Sequence, residues 1–167
     1  MFADILTGNA RYAETFAHGD LGPVPARHVV ALTCMDTRID IPALLGLAIG
    51  DAHILRNAGG RVTDDVIRSL VVSIEVLETR AVAVIEHTEC GMTTATDDDV
   101  RALVSERRGV DASGVEFLTI ADQTATVQAD VALLRASPLL PPDLAVAGFI
   151  YDIRSGRLTE VPTPQNP

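Results

Sequence analysis

The chemistry-bearing residues of this chain gather in two short segments. The first reads Cys34-Met35-Asp36-Thr37-Arg38 and the second His87-Thr88-Glu89-Cys90-Gly91. Cys34 and Cys90 are the only cysteines. With His87 they make a Cys2His set, which zinc favours and which leaves a fourth position for water or a carboxylate. His87 and Cys90 are spaced to reach one ion from a single turn, and Gly91 is expected to relieve crowding beside Cys90.

Asp36 follows Cys34 closely enough to approach the same ion. If the segment runs extended, Asp36 and Arg38 point to the same side. A guanidinium can then hold the carboxylate through two parallel hydrogen bonds. Asp36 thus has two competing partners. On the metal it is the fourth ligand of a closed state; on Arg38 it leaves that position free. Two thiolates cancel the formal charge of zinc. A water on such an ion should be less acidic than in a three-histidine site, where its pKa is about 7. Activity is therefore expected to rise with alkaline pH.

Taken singly, these residues have plainer readings. A lone cysteine reads as a buried core thiol, a lone His87 as a strand-end histidine, and Asp36 with Arg38 as a structural ion pair. The combined spacing favours the metal. His18, His28 and His53 lack ligand spacing. Asp64-Asp65 and Asp97-Asp98-Asp99 fall where helices should start, so capping explains them. Asn57-Ala58-Gly59-Gly60 before a helix could cradle an anion, but the two aspartates that follow argue against a phosphate.

The elements that must position these residues can be read from apolar periodicity. An amphipathic helix is expected over 3–17, ended by Leu21-Gly22-Pro23-Val24-Pro25. Strands are expected at 28–33, 51–56, 81–86 and 144–150, with a possible last strand at 157–161 after the Ser155-Gly156 turn. A short helix falls near 41–47. Thr63 is placed to cap a helix with the stripe Val66, Ile67, Leu70, Ile74, Leu77. Further helices fall near 97–107, through Val100, Leu103 and Val104, and over 123–136, through Val127, Val131 and Leu134. Residues 115–120 are ambiguous. Apolar strands alternating with helices imply an α/β fold with a mostly parallel central sheet flanked by helices. Ligands in such sheets bind at the carboxyl ends of strands, which is where Cys34 and His87 fall.

Bulk properties bound the function. The length of 167 residues suits one domain, 1–167, with a helical arm at 1–20 and an extended tail at 162–167. Apolar residues at 47% and charged residues at 22% describe a globular chain. No apolar run is long enough to cross a bilayer, and Met1-Phe2-Ala3-Asp4 lacks the basic start of a signal peptide. A cytoplasmic protein without a membrane partner is expected. The net charge is −10 with no lysine, which argues against nucleic acid as a partner. In that compartment paired cysteines read as metal ligands more readily than as a disulfide.

Cys-x-Asp-x-Arg followed by His-x-x-Cys resembles the signature of the β-class carbonic anhydrases, in their compact bacterial branch. The resemblance runs through Arg56-Asn57-Ala58-Gly59 and into Thr88 and Gly91-Met92, covering roughly 28–110. It implies reversible hydration of carbon dioxide to bicarbonate by a zinc-bound hydroxide, with zinc held by Cys34, His87 and Cys90. Asp36 and Arg38 match the family's gate pair, and Ala58 and Gly59 would face the substrate pocket. The resemblance also implies a homodimer or dimer of dimers in which residues 1–17 pack across the partner. Proteins resembling this family also hydrolyse carbon disulfide or carbonyl sulfide, and a non-enzymatic structural zinc site is a further alternative. Two departures are visible. Glu89 stands where the family commonly has aspartate, a change expected to be tolerated at a non-ligand position. Ala31 and Thr33 stand where some members carry the tryptophan and glycine of an inhibitory bicarbonate site, so that inhibition is not expected here.

Overall fold

The computed structural model describes residues 2–163; positions 164–167 of the expected tail lie outside them. The sheet contains β1 (Val29–Cys34), β2 (Ala52–Asn57), β3 (Ala81–His87), β4 (Ala145–Tyr151) and β5 (Leu158–Val161). Their order is β2-β1-β3-β4-β5. All neighbours are parallel except the β4–β5 edge pair. β1 and β3 lie inside the sheet and are buried on both faces. That explains their nearly continuous apolar sequences, Val-Val-Ala-Leu-Thr-Cys and Ala-Val-Ala-Val-Ile-Glu-His.

Five α-helices accompany the sheet: α1 (Phe2–Glu14), α2 (Ile41–Leu45), α3 (Asp64–Glu75), α4 (Asp97–Arg108) and α5 (Gln123–Ala136). Thr63 caps α3 by accepting from the Val66 amide, as its sequence position predicts. On one sheet face, Leu70 of α3 and Val127, Val131 and Leu134 of α5 pack on Val30, Leu32, Val82 and Val84. Each fully buried side chain of this kind contributes about 1.5–3 kcal/mol. On the other face, Ile39, Ile41 and Ile85 form a smaller cluster around Cys34 and Cys90. This second cluster is the floor of the site.

Several expectations shift. α1 stops at Glu14, short of 17; β1, β2 and β4 lie one residue later than the apolar runs suggested, β3 runs one residue further and β5 starts one residue later. α4 forms but buries no residue, and Leu103 is exposed, so its apolar stripe meets no core within the chain. α1 likewise buries nothing and leaves Phe2, Ile5, Leu6 and Tyr12 exposed. Residues 115–120 are irregular. Asp97 pins them by accepting from the amides of Phe117 and Thr119 and from the Thr119 hydroxyl. Asp97 thus ties down a loop, while Asp99 performs the capping in a reciprocal box with Thr96.

Candidate metal centre

The parallel register of β1 and β3 brings Thr33 opposite Ile85, so both strands end on the same edge. Cys34 is the last residue of β1 and His87 the last of β3. The chain then turns through Thr88 and Glu89 and returns Cys90 to the same spot. The Cys34 and Cys90 sulfurs lie 3.8 Å apart. With His87, the potential ligand atoms all fall within 4.8 Å of one another, and all three residues are buried.

The imidazole shows which nitrogen faces a ligand. His87 Nδ1 lies 2.9 Å from the Thr88 carbonyl oxygen, so it is the donor there. Nε2 is buried with no hydrogen-bond partner. Leaving such an atom unpartnered is costly, and it belongs to the residue that clusters with the two sulfurs. Two sulfurs and one nitrogen are a donor set suited to zinc. Accepting a hydrogen bond from Cys90 lowers Cys34 below the ordinary thiol value, against the opposing effect of burial. Cys90 is pushed up by the Cys34 thiolate and by burial.

Asp36 stands at the rim. Arg38 Nε donates to its Oδ1 at 2.9 Å and Nη2 to its Oδ2 at 2.7 Å. The Arg38 amide adds a third bond at 2.9 Å. These bonds, Arg38's side chain first, hold the Asp36 carboxyl well below the usual carboxylate range. Asp36 Oδ2 lies 3.8 Å from His87 Nε2, so the carboxylate borders the ligand cluster while Arg38 occupies it. The segment is not extended as expected. It turns at Thr37-Arg38, and the Ile39 amide bonds the Asp36 carbonyl. The pairing survives because the turn, rather than strand alternation, brings the two side chains together.

Residues whose structural roles the sequence did not assign hold this frame. Arg56 donates to the carbonyls of Cys34, Asp36 and Ile39, clamping the loop after β1. Gln123 donates to the His87 carbonyl. Gly60 has φ of 71°, and a Cβ there would lie 2.9 Å from the Cys34 nitrogen and 3.1 Å from the Ile85 carbonyl oxygen. The expectation for Gly91 is corrected: a Cβ there would meet nothing within 4 Å, so it relieves no crowding. The glycine that close packing requires is Gly60. An arginine within the apolar run of β2 was the one available hint of the Arg56 clamp. Ala58 and Gly59 sit in a short 3-10 turn after β2. They line a recess of about 360 Å³ with Cys34, Met35, Asp36 and Met92. His18, His28 and His53 do not join the ligand cluster.

A mostly parallel sheet bears a Cys2His cluster that could hold a metal ion at its carboxyl edge, with a carboxylate held aside by arginine. The profile of the carbonic anhydrase family matches residues 29–158. Beta-carbonic anhydrase 1 of Mycobacterium tuberculosis is 37% identical, over 95% of this chain and 96% of its own. The crystal structure of carbonic anhydrase from Streptococcus mutans superposes with a TM-score of 0.93 at 44% identity, covering 96% and 97% of the two chains. A carbon disulfide hydrolase of Acidianus is 30% identical over 95% of this chain and 89% of its own. The chain belongs to the carbonic anhydrase family, in its β class.

Proposed function

We propose that the chain catalyses the reversible hydration of carbon dioxide to bicarbonate, with zinc held by Cys34, His87 and Cys90 and the fourth position gated by Asp36 and Arg38. The carrying observation is the unpartnered His87 Nε2 beside two thiols while Asp36 is engaged by arginine. Zinc bound there would acidify a water and so provide a nucleophile near neutral pH. Arg38 keeps the carboxylate off the fourth position. Asp36 accepts a hydrogen bond from the attacking water and so orients it. Ala58 and Gly59, with Met35 and Met92, give carbon dioxide an apolar recess beside the cluster.

The second reading is hydrolysis of carbon disulfide or carbonyl sulfide, supported by the 30% identity to a carbon disulfide hydrolase. Identity is higher to the mycobacterial carbonic anhydrase, at 37%, which favours hydration. A purely structural zinc site would need Asp36 as a permanent ligand, and the Arg38 fork opposes that. The unburied apolar residues of α1 support a homodimer or dimer of dimers in which α1 covers a second copy. No described helix is long and apolar enough to cross a membrane; a cytoplasmic enzyme fits that reading. Parallel assays of the purified zinc protein on carbon dioxide and carbon disulfide test the assignment. Carbon disulfide turnover without hydration would reverse it.

A further inference from the structure

Glu89 sits between two zinc-ligand candidates, yet its side chain turns away from them. Its backbone has φ of 55°, the left-handed region where glycine or asparagine is cheaper. That strained turn aims two groups at Arg38. The Glu89 carbonyl accepts from Arg38 Nη2 at 3.1 Å, and the carboxylate Oε2 faces Arg38 Nη1 at 3.9 Å. Asp36 bonds Nε and Nη2 of the same guanidinium. The Glu89 carbonyl shares Nη2 with Asp36, while the Glu89 carboxylate faces Nη1, which Asp36 leaves free, so the carboxylate supports the arginine rather than competing for it.

The other carboxylate oxygen, Oε1, accepts from Arg154 Nε. Arg154 lies in the turn between β4 and β5. That turn is closed by Asp152, which accepts from the amides of Arg154 and Ser155 at 2.9 and 2.8 Å. Thr88 ties it to the ligand segment, since its amide donates to the Tyr151 carbonyl and its hydroxyl accepts from the Ile153 amide. A fixed chain of charges thus runs Asp36–Arg38–Glu89–Arg154 from the rim of the cluster to the far sheet edge.

We infer that Glu89, held by Arg154, is a positioning residue for the gate: it fixes Arg38 where the guanidinium can hold Asp36 off the fourth metal position. The inference rests on the gate reading given above. Arg38 is 46% exposed and has no other carboxylate but Asp36 and Glu89 among the described ion pairs. Without the Glu89 carboxylate the guanidinium keeps Asp36 and the Glu89 carbonyl but loses the charge facing Nη1, so its hold on Asp36 loosens and Asp36 gains access to the metal more often. Exposed ion pairs are individually weak, so the effect is a modest shift of the gate rather than its collapse.

The test uses cobalt-loaded protein and an equilibrium reading of the fourth position, the visible-spectrum titration with thiocyanate. Glu89→Gln removes a negative charge near the site, so simple electrostatics would tighten anion binding. Positioning predicts the reverse, a two- to fivefold weakening. Arg154→Gln should also weaken it, and the double variant should bind no worse than the weaker single, because both act through one chain. Unchanged or tighter binding in Glu89→Gln overturns the inference, as does additivity in the double variant. No thiocyanate binding by the parent protein also overturns it, since Asp36 would then already close the site. Absence of hydration activity would sink the proposed reaction yet leave this titration readable.

Discussion

Gly60→Ala is the substitution whose cost follows most directly from the backbone. The new methyl would sit 2.9 Å from the Cys34 nitrogen and the Thr33 carbonyl carbon and 3.1 Å from the Ile85 carbonyl oxygen. All three are backbone atoms of β1 and β3, so no rotamer change relieves the overlap. The residue also has φ of 71°, which costs an L-residue about 1–2 kcal/mol. Overpacking adds about 1–3 kcal/mol, and the stiffer unfolded chain returns about 0.4–1 kcal/mol. The net destabilisation is about 1–4.6 kcal/mol, which lowers the melting temperature of a domain this size by roughly 2–18 °C. Because relief requires β1 and β3 to part at Cys34, zinc affinity should fall as well. Thermal melting and competitive zinc titration read the two effects. Gly91→Ala is the control, since a methyl there enters open space. A Gly60→Ala protein that melts and binds zinc like Gly91→Ala would refute the close approach of that turn to Cys34.

Three further outcomes follow from the geometry. Arg38→Ala removes the charged fork from Asp36; because the pair is exposed, hydration should fall by up to about fivefold, while zinc content stays at one per chain. Loss of zinc in this variant would show that Arg38 builds the site instead of gating it. Glu86 is buried with both carboxylate oxygens unpartnered, and burial pushes it up to about 8. Between its ordinary 4.5 and that value the unfolded chain releases a proton that the fold retains, so stability falls as pH rises through this window. Glu86→Gln should abolish this slope, of at most about 1.4 kcal/mol per pH unit, in paired denaturation curves of zinc-loaded protein at pH 5 and 8. Parallel curves for the two proteins would refute a neutral Glu86. Removing residues 1–17 should turn a dimer into a monomer by light scattering, because α1 exposes Phe2, Ile5 and Leu6 and buries nothing in its own chain; an unchanged dimer would place the interface elsewhere.

The clustering of Cys34, His87 and Cys90 was legible in the sequence because metal chemistry depends on residue type: two sulfurs and an imidazole near strand ends have few other joint uses. The alternation of apolar runs located each strand to within a residue or two, and Thr63 marked the start of α3. What was not legible depends on neighbours distant in the chain. Arg56 spends its donors on three carbonyls of the β1 loop, and nothing in β2 announces those acceptors. Gly60 and Gly91 look alike as letters, and only the register of β1 and β3 makes one indispensable and the other free. Glu89 read as a tolerated substitution because it is not a ligand. Its contact with Arg154 exists only once the β4–β5 turn folds over the ligand segment. The apolar stripe of α4 located the helix, but periodicity reports a face that could be buried, not what covers it.

The central claim is that a Cys34-His87-Cys90 zinc site with Asp36 held aside activates water for attack on carbon dioxide. Stopped-flow hydration at pH 7.0 and 8.5, on protein of measured zinc content, tests it most directly. One zinc per chain and fast hydration that rises with pH are expected, since two thiolates neutralise the zinc that would hold the water. One zinc per chain with no hydration at either pH would contradict it.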